Sequence, residues 1–475
     1  MNSRFLANTL LGLTLAAAGP LVQSKEKTQP IPGLPAYGKD KPLVLPDVKE
    51  LKLENGLTLW LIERHDLPLV SLYLAVRGGV ASDPKSLMGL SNILSATLTA
   101  GTEKRSSRQI AEDLQAVGAE IEAAVSKDMT YLGIEGLASG AGAILEILAE
   151  TATQASFPRE EVELAIENEL QSIVANRSEP TYELSQVFQR QLFGDHPYAF
   201  VNPRPEVIRK ITRADLVKAY RQRFRPDQAI LVMVGDLTAE NMQALARKHF
   251  GHWKPAGEKI AEVPPAPREA RPALLLVDRP NSVQSSIFVG RPMPPAGNPD
   301  EFPLQVANTL FGGAFGSRLT MNIREDKGYT YSPRATVTDW AKGGMFRISA
   351  SVRNEVTAAT LVEIFYELDR LATTLPEKEE LARTQRYLKG RFLLANETAA
   401  AVAATLTGYW IDGKTPRDLA KYVPGIDAVK AADVEEMGRR YFASRQQTVA
   451  ISGDAQQIRE QLALFGDVKV VEPSQ

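Results

Sequence analysis

Apolar and polar residues alternate along Val48-Lys49-Glu50-Leu51-Lys52-Leu53, and alternate again along Leu57-Thr58-Leu59-Trp60-Leu61-Ile62 after Asn55-Gly56. A period of two on both sides of Asn-Gly predicts a β-hairpin, because that dipeptide tolerates the positive φ of a tight turn. Ahead of it, residues 25–46 are rich in Pro, Lys and Gly and show no period that would bury a face, so they read as an extended lead-in. Further along, Ile144, Ile147 and Leu148 recur at helical spacing, as do Val362, Phe365 and Tyr366, and both stripes are expected to face a core. A helix from Ala214 to Phe224 leads into an apolar strand from Ala229 to Val234 that ends in Gly235-Asp236. The same unit recurs as Ala432 to Phe442, Thr448 to Ser452 and Gly453-Asp454.

That recurrence extends along the chain. Shifted by 218 residues against itself, the sequence places Phe157-Pro158 on Leu375-Pro376, Leu170 on Leu388, Ala214-Asp215 on Ala432-Asp433, Arg221 on Arg439 and Phe224 on Phe442. One offset held across separated features predicts two duplicated α+β halves. Between them, residues 254–272 (KPAGEKIAEVPPAPREARP) carry five prolines and read as a stiff linker. The expected organisation is a first domain over 47–253, the linker, and a second domain over 273–470. With 475 residues, two domains of about 200 residues each are the natural division.

Composition narrows the function. A formal charge of −2 supplies no global attraction to nucleic acid or anionic lipid. The absence of cysteine excludes a disulfide scaffold, a thiolate metal site and a cysteine nucleophile, so any metal needs His and carboxylates. Residues 1–24 read as a secretory signal: Arg4 is followed by a mostly apolar run from Leu6 to Ala18, then by Val22-Gln23-Ser24. That run is shorter than the ~20 residues that span a bilayer, and no later segment looks transmembrane. The expected location is periplasmic or secreted, with no membrane span after signal removal and no nucleic-acid partner.

Gly89-Leu90-Ser91-Asn92-Ile93-Leu94-Ser95-Ala96-Thr97-Leu98-Thr99-Ala100-Gly101-Thr102 follows a strand and a Gly78-Gly79 turn. It resembles the pitrilysin/insulinase-type (inverzincin) peptidases, including mitochondrial processing peptidase, whose matching helix reads G-L-A-H-x-x-E-H and ends in Gly-Thr. Supporting pieces are Gly194-Asp195-His196-Pro197-Tyr198, the stretch from Gly312 to Leu319, and Arg324-Glu325-Asp326-Lys327-Gly328-Tyr329-Thr330-Tyr331-Ser332. The resemblance implies, in each half, a mostly antiparallel sheet with helices packed on one face. It also implies chains that pair to close four such domains around a chamber.

In that family two His hold zinc and a Glu activates the bound water. Here the matching positions are Asn92, Ser95 and Ala96, which supply neither the two ligands nor the base. The family's further zinc-binding Glu aligns to a helix from Ala165 to Val174, with Ser172 at or next to its position and Glu167 and Glu169 nearby. The expectation is no zinc in this chain and a zinc-bearing partner. Of the four histidines, His249 and His252 read as a solvated pair, and His65 and His196 as turn residues. The glycines of 312–319 lack phosphate-loop order and read as a tight turn. By resemblance, Arg324 and Tyr331 would hold a substrate carbonyl and its developing charge. Arg324 is expected near the end of one helix running from about Pro303 to Asp326, and Tyr331 at the start of the next strand.

The leading functional expectation is a catalytically incomplete subunit of a two-chain zinc metallopeptidase. It would enclose and position peptide beside a homologous chain with an intact H-x-x-E-H. The alternative is a structural or chaperone-like protein similar to the cytochrome bc1 core subunits. A hydrolase using other residues is disfavoured, since no Ser-His-Asp or paired-carboxylate arrangement stands out.

Overall fold

The structure, a computed structural model, describes residues 46–471. The expected signal over 1–24 and all of the lead-in except Pro46 lie outside the described residues.

The first half builds a sheet from β1 (Lys49–Lys52), β2 (Thr58–Glu63), β3 (Leu69–Arg77), β4 (Glu120–Val125), β5 (Met129–Leu137) and β6 (Ala229–Gly235). The order is β1-β2-β6-β3-β5-β4, with β2 and β6 parallel and the other pairs antiparallel. The predicted hairpin is present. Gly56 adopts φ 97°, and the Asn55 side-chain oxygen accepts from the Leu57 N–H at 3.2 Å. Helices of this half are α1 (Leu90–Leu98), α2 (Ser107–Ala116), α3 (Ala141–Gln154), α4 (Arg159–Arg177), α5 (Pro180–Phe193), α6 (Pro205–Ile208), α7 (Arg213–Arg223) and α8 (Ala239–Phe250).

The second half repeats the plan with β7 (Leu274–Asp278), β8 (Gln284–Met293), β9 (Arg334–Trp340), β10 (Gly343–Arg353), β11 (Thr448–Gly453) and β12 (Val468–Val470), in the order β12-β7-β11-β8-β10-β9. Its helices are α9 (Glu301–Asn308), α10 (Arg318–Thr320), α11 (Thr357–Thr373), α12 (Lys378–Leu394), α13 (Ala399–Ile411), α14 (Tyr422–Ala428), α15 (Ala431–Met437) and α16 (Ala455–Leu462). Five strands therefore keep one order in both halves. The sixth differs: the first sheet is edged by the N-terminal β1, antiparallel to β2, and the second by the C-terminal β12, parallel to β7. The chain is α+β, with two six-stranded mixed sheets and helices, a duplicated architecture.

Alternate residues of each central strand feed two cores. Leu59, Leu61, Leu72, Leu74 and Leu231 pack under α1, α3, α4 and α7. Trp60, Ile62, Ala75, Ile230, Val232 and Val234 point to the opposite face, where Val402, Ala403 and Leu406 of α13 cover them. The second sheet mirrors this. Leu275, Val277, Phe288 and Ala450 are covered by Leu184, Phe188 and Leu192 of α5. Beyond the helices each half packs on its own sheet, the halves thus exchange one equivalent helix each. Strands buried on both faces read as continuous apolar runs, as Ala229–Gly235 does.

The repeat is looser than one offset. Ile144, Ile147 and Leu148 are buried, but Val362 and Tyr366 are exposed and Phe365 only partly covered. The core face of α11 is Leu361, Ile364, Leu368 and Leu371. Leu361 and Ile364 stand 217 residues after Ile144 and Ile147, and a slip of one residue turns a helix face by about 100°.

Residues 254–272 form no regular element and are held against both halves. Lys259 pairs with Asp227 at 2.9 Å, His196 Nε2 lies 2.8 Å from the Pro264 carbonyl, and the Ala266 N–H donates to Lys342 O at 2.8 Å. Where α13 ends, Arg77 stacks on Trp410 at 4.5 Å and donates to the Trp410 and Ile411 carbonyls.

The next residue, Asp412, has its carboxyl pushed up to about 7 by burial; Lys414 opposes this, and Asp339, Asp128 and Glu301 reinforce it. A carboxyl whose folded pKa is raised favours folding while protonated, and that contribution is lost as pH rises through about 7. Asp412→Asn should therefore raise the melting temperature at pH 8 by a few degrees, a gain that shrinks as pH falls toward 4.5 in paired thermal melts.

Candidate functional site

Helix α1 starts where only glycine fits. Gly89 has φ 96°, and a Cβ there would meet Ile208 Cδ1 at 2.4 Å. The side chain of Asp83 closes the helix N-terminus, accepting from the Gly89 and Ser91 N–H groups at 3.2 and 3.0 Å and from Ser91 Oγ at 2.5 Å. Arg223, arriving from α7, donates to Ser91 Oγ at 2.7 Å and to Asp83 Oδ1 at 2.8 Å. Both charged side chains are buried. The motif helix is thus fixed in place by a buried ion pair and an acidic cap.

On that fixed helix the three motif positions fall as a helical spacing requires, but their chemistry is inert. Asn92 is half-buried, Ser95 is buried and Ala96 is exposed. Asn92 Nδ2 donates to Glu169 Oε1 at 2.9 Å. The α4 side chain that meets Asn92 is Glu169, one of the two carboxylates near the expected position, while Ser172 lies one turn further along α4 and is exposed. Among the described residues, no group of three or more His, Cys, Asp or Glu could hold a metal ion. One carboxylate, one amide and a methyl group do not fit zinc, which takes three protein ligands in catalytic sites, so no step passes through a metal held by this chain.

The placement of Glu169 changes what repair requires. Asn92→His with Ala96→His would set two imidazoles one turn apart beside Glu169, a two-His, one-Glu set. The double variant should take up about one zinc per chain by metal analysis, and adding Glu169→Gln should abolish it. No zinc in the double variant would show that Glu169 does not occupy the ligand position.

In the second half, the single helix expected from about Pro303 to Asp326 is broken. After α9 the backbone widens into a π-helical turn over Thr309–Gly313, leaves helix at Ala314, and restarts at Ser317, whose hydroxyl accepts from the Thr320 N–H. A second π-helical turn runs over Met321–Asp326. The glycines serve close approach rather than a left-handed turn: a Cβ on Gly312 would lie 2.7 Å from Ala335 Cβ, and one on Gly313 3.0 Å from Asn308 Nδ2. The restarted segment is anchored on its buried side. Arg318 grips Glu380 of α12 through two hydrogen bonds at 2.7 and 2.8 Å, and Asn322 donates to Glu363 and Glu367 of α11 at 3.0 Å each.

Its other side presents Arg324. The guanidinium carbon lies 4.6 Å from the ring centroids of both Phe315 and Tyr331. Those rings are 61% and 79% exposed, so the stack stands open to solvent. Tyr331 lies in the loop before β9, three residues short of the strand where it was expected. A groove of about 400 Å³ runs beside it, lined by Tyr329, Thr330 and Ser332 and by Gln284, Ser351 and Arg353 at the ends of β8 and β10. Sequence reasoning missed Phe315; an aromatic residue set among glycines was the available signal.

The histidines fall outside both sets. His65 sits between Asp236 at 2.7 Å and Glu63 at 3.4 Å, and the hydrogen bonds it donates to these carboxylates when protonated raise its pKa. His196 caps the short turn Pro197–Ala199, accepting from the Tyr198 N–H at 3.1 Å. His249 is buried and His252 exposed, so they are not a solvated pair; α8 ends at Phe250 and leaves His249 facing the core.

Comparison with known proteins bears on the family and the fold. Residues 60–197 match the family described as insulinase (peptidase family M16), and residues 210–388 match the peptidase M16 inactive domain. A protein of Mycobacterium leprae named as an uncharacterized zinc protease is 29% identical over 391 residues, covering 80% of this chain and 86% of its own length. One of Mycobacterium tuberculosis with the same description is 26% identical over 401 residues, covering 82% and 89%. The crystal structure of a peptidase M16 inactive domain from Pseudomonas fluorescens superposes with a TM-score of 0.80 at 21% identity, over 86% of this chain and 98% of that one. Two adjoining family matches, relatives aligned over most of their length and a shared duplicated fold establish that the chain belongs to the M16 (insulinase/pitrilysin) peptidase family and carries both of its domains.

Proposed function

We propose that this chain is the non-zinc-binding subunit of an exported, two-chain zinc metallopeptidase. It encloses and positions peptide beside a homologous partner that carries an intact H-x-x-E-H. The carrying observation is the contrast between the two halves. The motif helix keeps its cap, its ion pair and its glycine start while lacking ligands and base, whereas the second half keeps a half-buried Arg324 on an anchored segment, paired with Glu325 at 3.2 Å and stacked on the exposed Tyr331. A bare scaffold has no use for a cation held against two solvent-exposed aromatic rings. Zinc in the partner would supply a polarised water. This chain's part is to present a cationic and a phenolic donor to a peptide carbonyl.

Purification from the native host, with identification of stoichiometric partners and metal analysis, tests this reading. The expected result is a second M16 chain holding the zinc, with this chain alone metal-free and inactive on peptides. Recovery only as a self-assembly, or in a complex without any metallopeptidase, would favour the structural reading instead.

A further inference from the structure

The turn between β4 and β5 carries a lysine that neither the motif helix nor the Arg324 stack uses. Lys127 Nζ donates to the Phe200 carbonyl at 2.6 Å and to the Tyr198 carbonyl at 3.4 Å, and lies 5.9 Å from the Trp340 ring. Among the described residues it makes no salt bridge, although an ammonium has three donors and loses hydration on burial. The adjacent Asp128 is spent elsewhere, accepting from Tyr198 Oη at 2.7 Å and from the Ala341 N–H at 3.0 Å. Burial accordingly holds the Lys127 amine down to about 8, against the opposing field of Asp128.

This lysine opens onto a cavity of about 220 Å³ at the start of α1. Its walls include Asn92 and Asn202, with Val80, Met88, Phe200 and Val201 supplying apolar surface. Asp83 also borders it, but its carboxylate is already neutralised by Arg223. Glu169, which is not among the lining residues, accepts one hydrogen bond from the Asn92 amide, and the Tyr182 carbonyl accepts one from the Asn202 amide. The volume corresponds to roughly seven waters, enough for one short side chain or a chain end. A cation without a salt bridge among the described residues, two amides and apolar walls suit a carboxylate carried on a short apolar stem.

We propose that the cavity beside Asn92 is a subsite for a carboxylate of a bound peptide, either an acidic side chain or a free C-terminus, with Lys127 as its counter-cation. That the carrier is a peptide rests on the function proposed above; the carboxylate site itself does not. It would let a chain without zinc select where a peptide lies along α1.

The full-length chain, with lysines isotopically labelled, is titrated with N-acetylglutamate α-amide, with N-acetylalanine and with neutral N-acetylglutamine amide. Saturable binding of one or both acids, with the Lys127 amine titrating higher in the complex, is expected, and the better acid identifies the source. Lys127→Met should weaken binding at least tenfold, while Lys127→Arg stays within about threefold of the native chain. Because Lys127 also holds the 198–200 loop, Met88→Trp provides a second variant that fills the cavity, keeps the lysine and should block binding. Equal binding of the neutral amide, or undiminished acid binding by Lys127→Met and Met88→Trp, overturns the proposal. Acid binding with no metallopeptidase partner recovered from the host would leave the site standing and remove the subunit reading.

Discussion

Replacing Arg223 by Met should lower the melting temperature by about 10 °C, the largest stability loss expected from a single residue away from the central strands. Arg223 is fully buried and is the cation facing Asp83, whose carboxylate also caps α1. Removing one member of a buried pair strands the other charge and costs about 3–5 kcal/mol, more than the pair itself contributes over an apolar replacement. The double variant Arg223→Met with Asp83→Asn should therefore recover part of the loss, since no buried charge remains and an Asn can still cap α1. A single variant melting within 2 °C of the native chain would show that the pair is not what fixes α1.

The second large effect is on turnover. In the two-chain complex proposed above, Arg324→Ala or Tyr331→Phe should reduce turnover about 10²-fold, the scale of losing one preorganised donor, with unchanged melting and partner binding. The geometry separates this role from plain packing. Arg324 is anchored through its backbone segment by Arg318 and Asn322, while its own head group stacks on rings that are mostly in solvent. An exposed cation–π contact adds only about 0.5–1 kcal/mol, so truncation should barely move stability. Equal turnover in both variant complexes would leave this chain as a chamber wall.

Much of this was legible in the sequence. The duplication showed because helix and strand ends sit at fixed distances from Gly235-Asp236 and Gly453-Asp454, and the hairpin showed because Asn-Gly specifies its turn. The inert motif was readable residue by residue, since ligand chemistry depends on side-chain type. What escaped depended on relations across space. Glu169 rather than Ser172 meets Asn92 because the packing of α1 on α4 sets the phase, which spacing in the chain does not. The break after α9 coincides with the close approach of Gly312 to Ala335, where a Cβ would not fit, and that approach is between segments separated in sequence. The apolar faces of α5 and α13 were those of ordinary helices; nothing in either marked it for the other half's sheet.

That exchange governs the order in which the molecule can be completed. A chain that emerges N-terminus first can assemble β2, β3 and β6 early, yet Trp60, Ile230 and Val232 stay uncovered until Ala399–Ile411 has been made and threaded across. The first half cannot finish on its own, and the second waits on Leu184 and Phe188 from the first. Both outer sheet faces are therefore fully covered only once both helices are in place. During any passage through a membrane, the unfinished sheet faces are what a chaperone would have to shield.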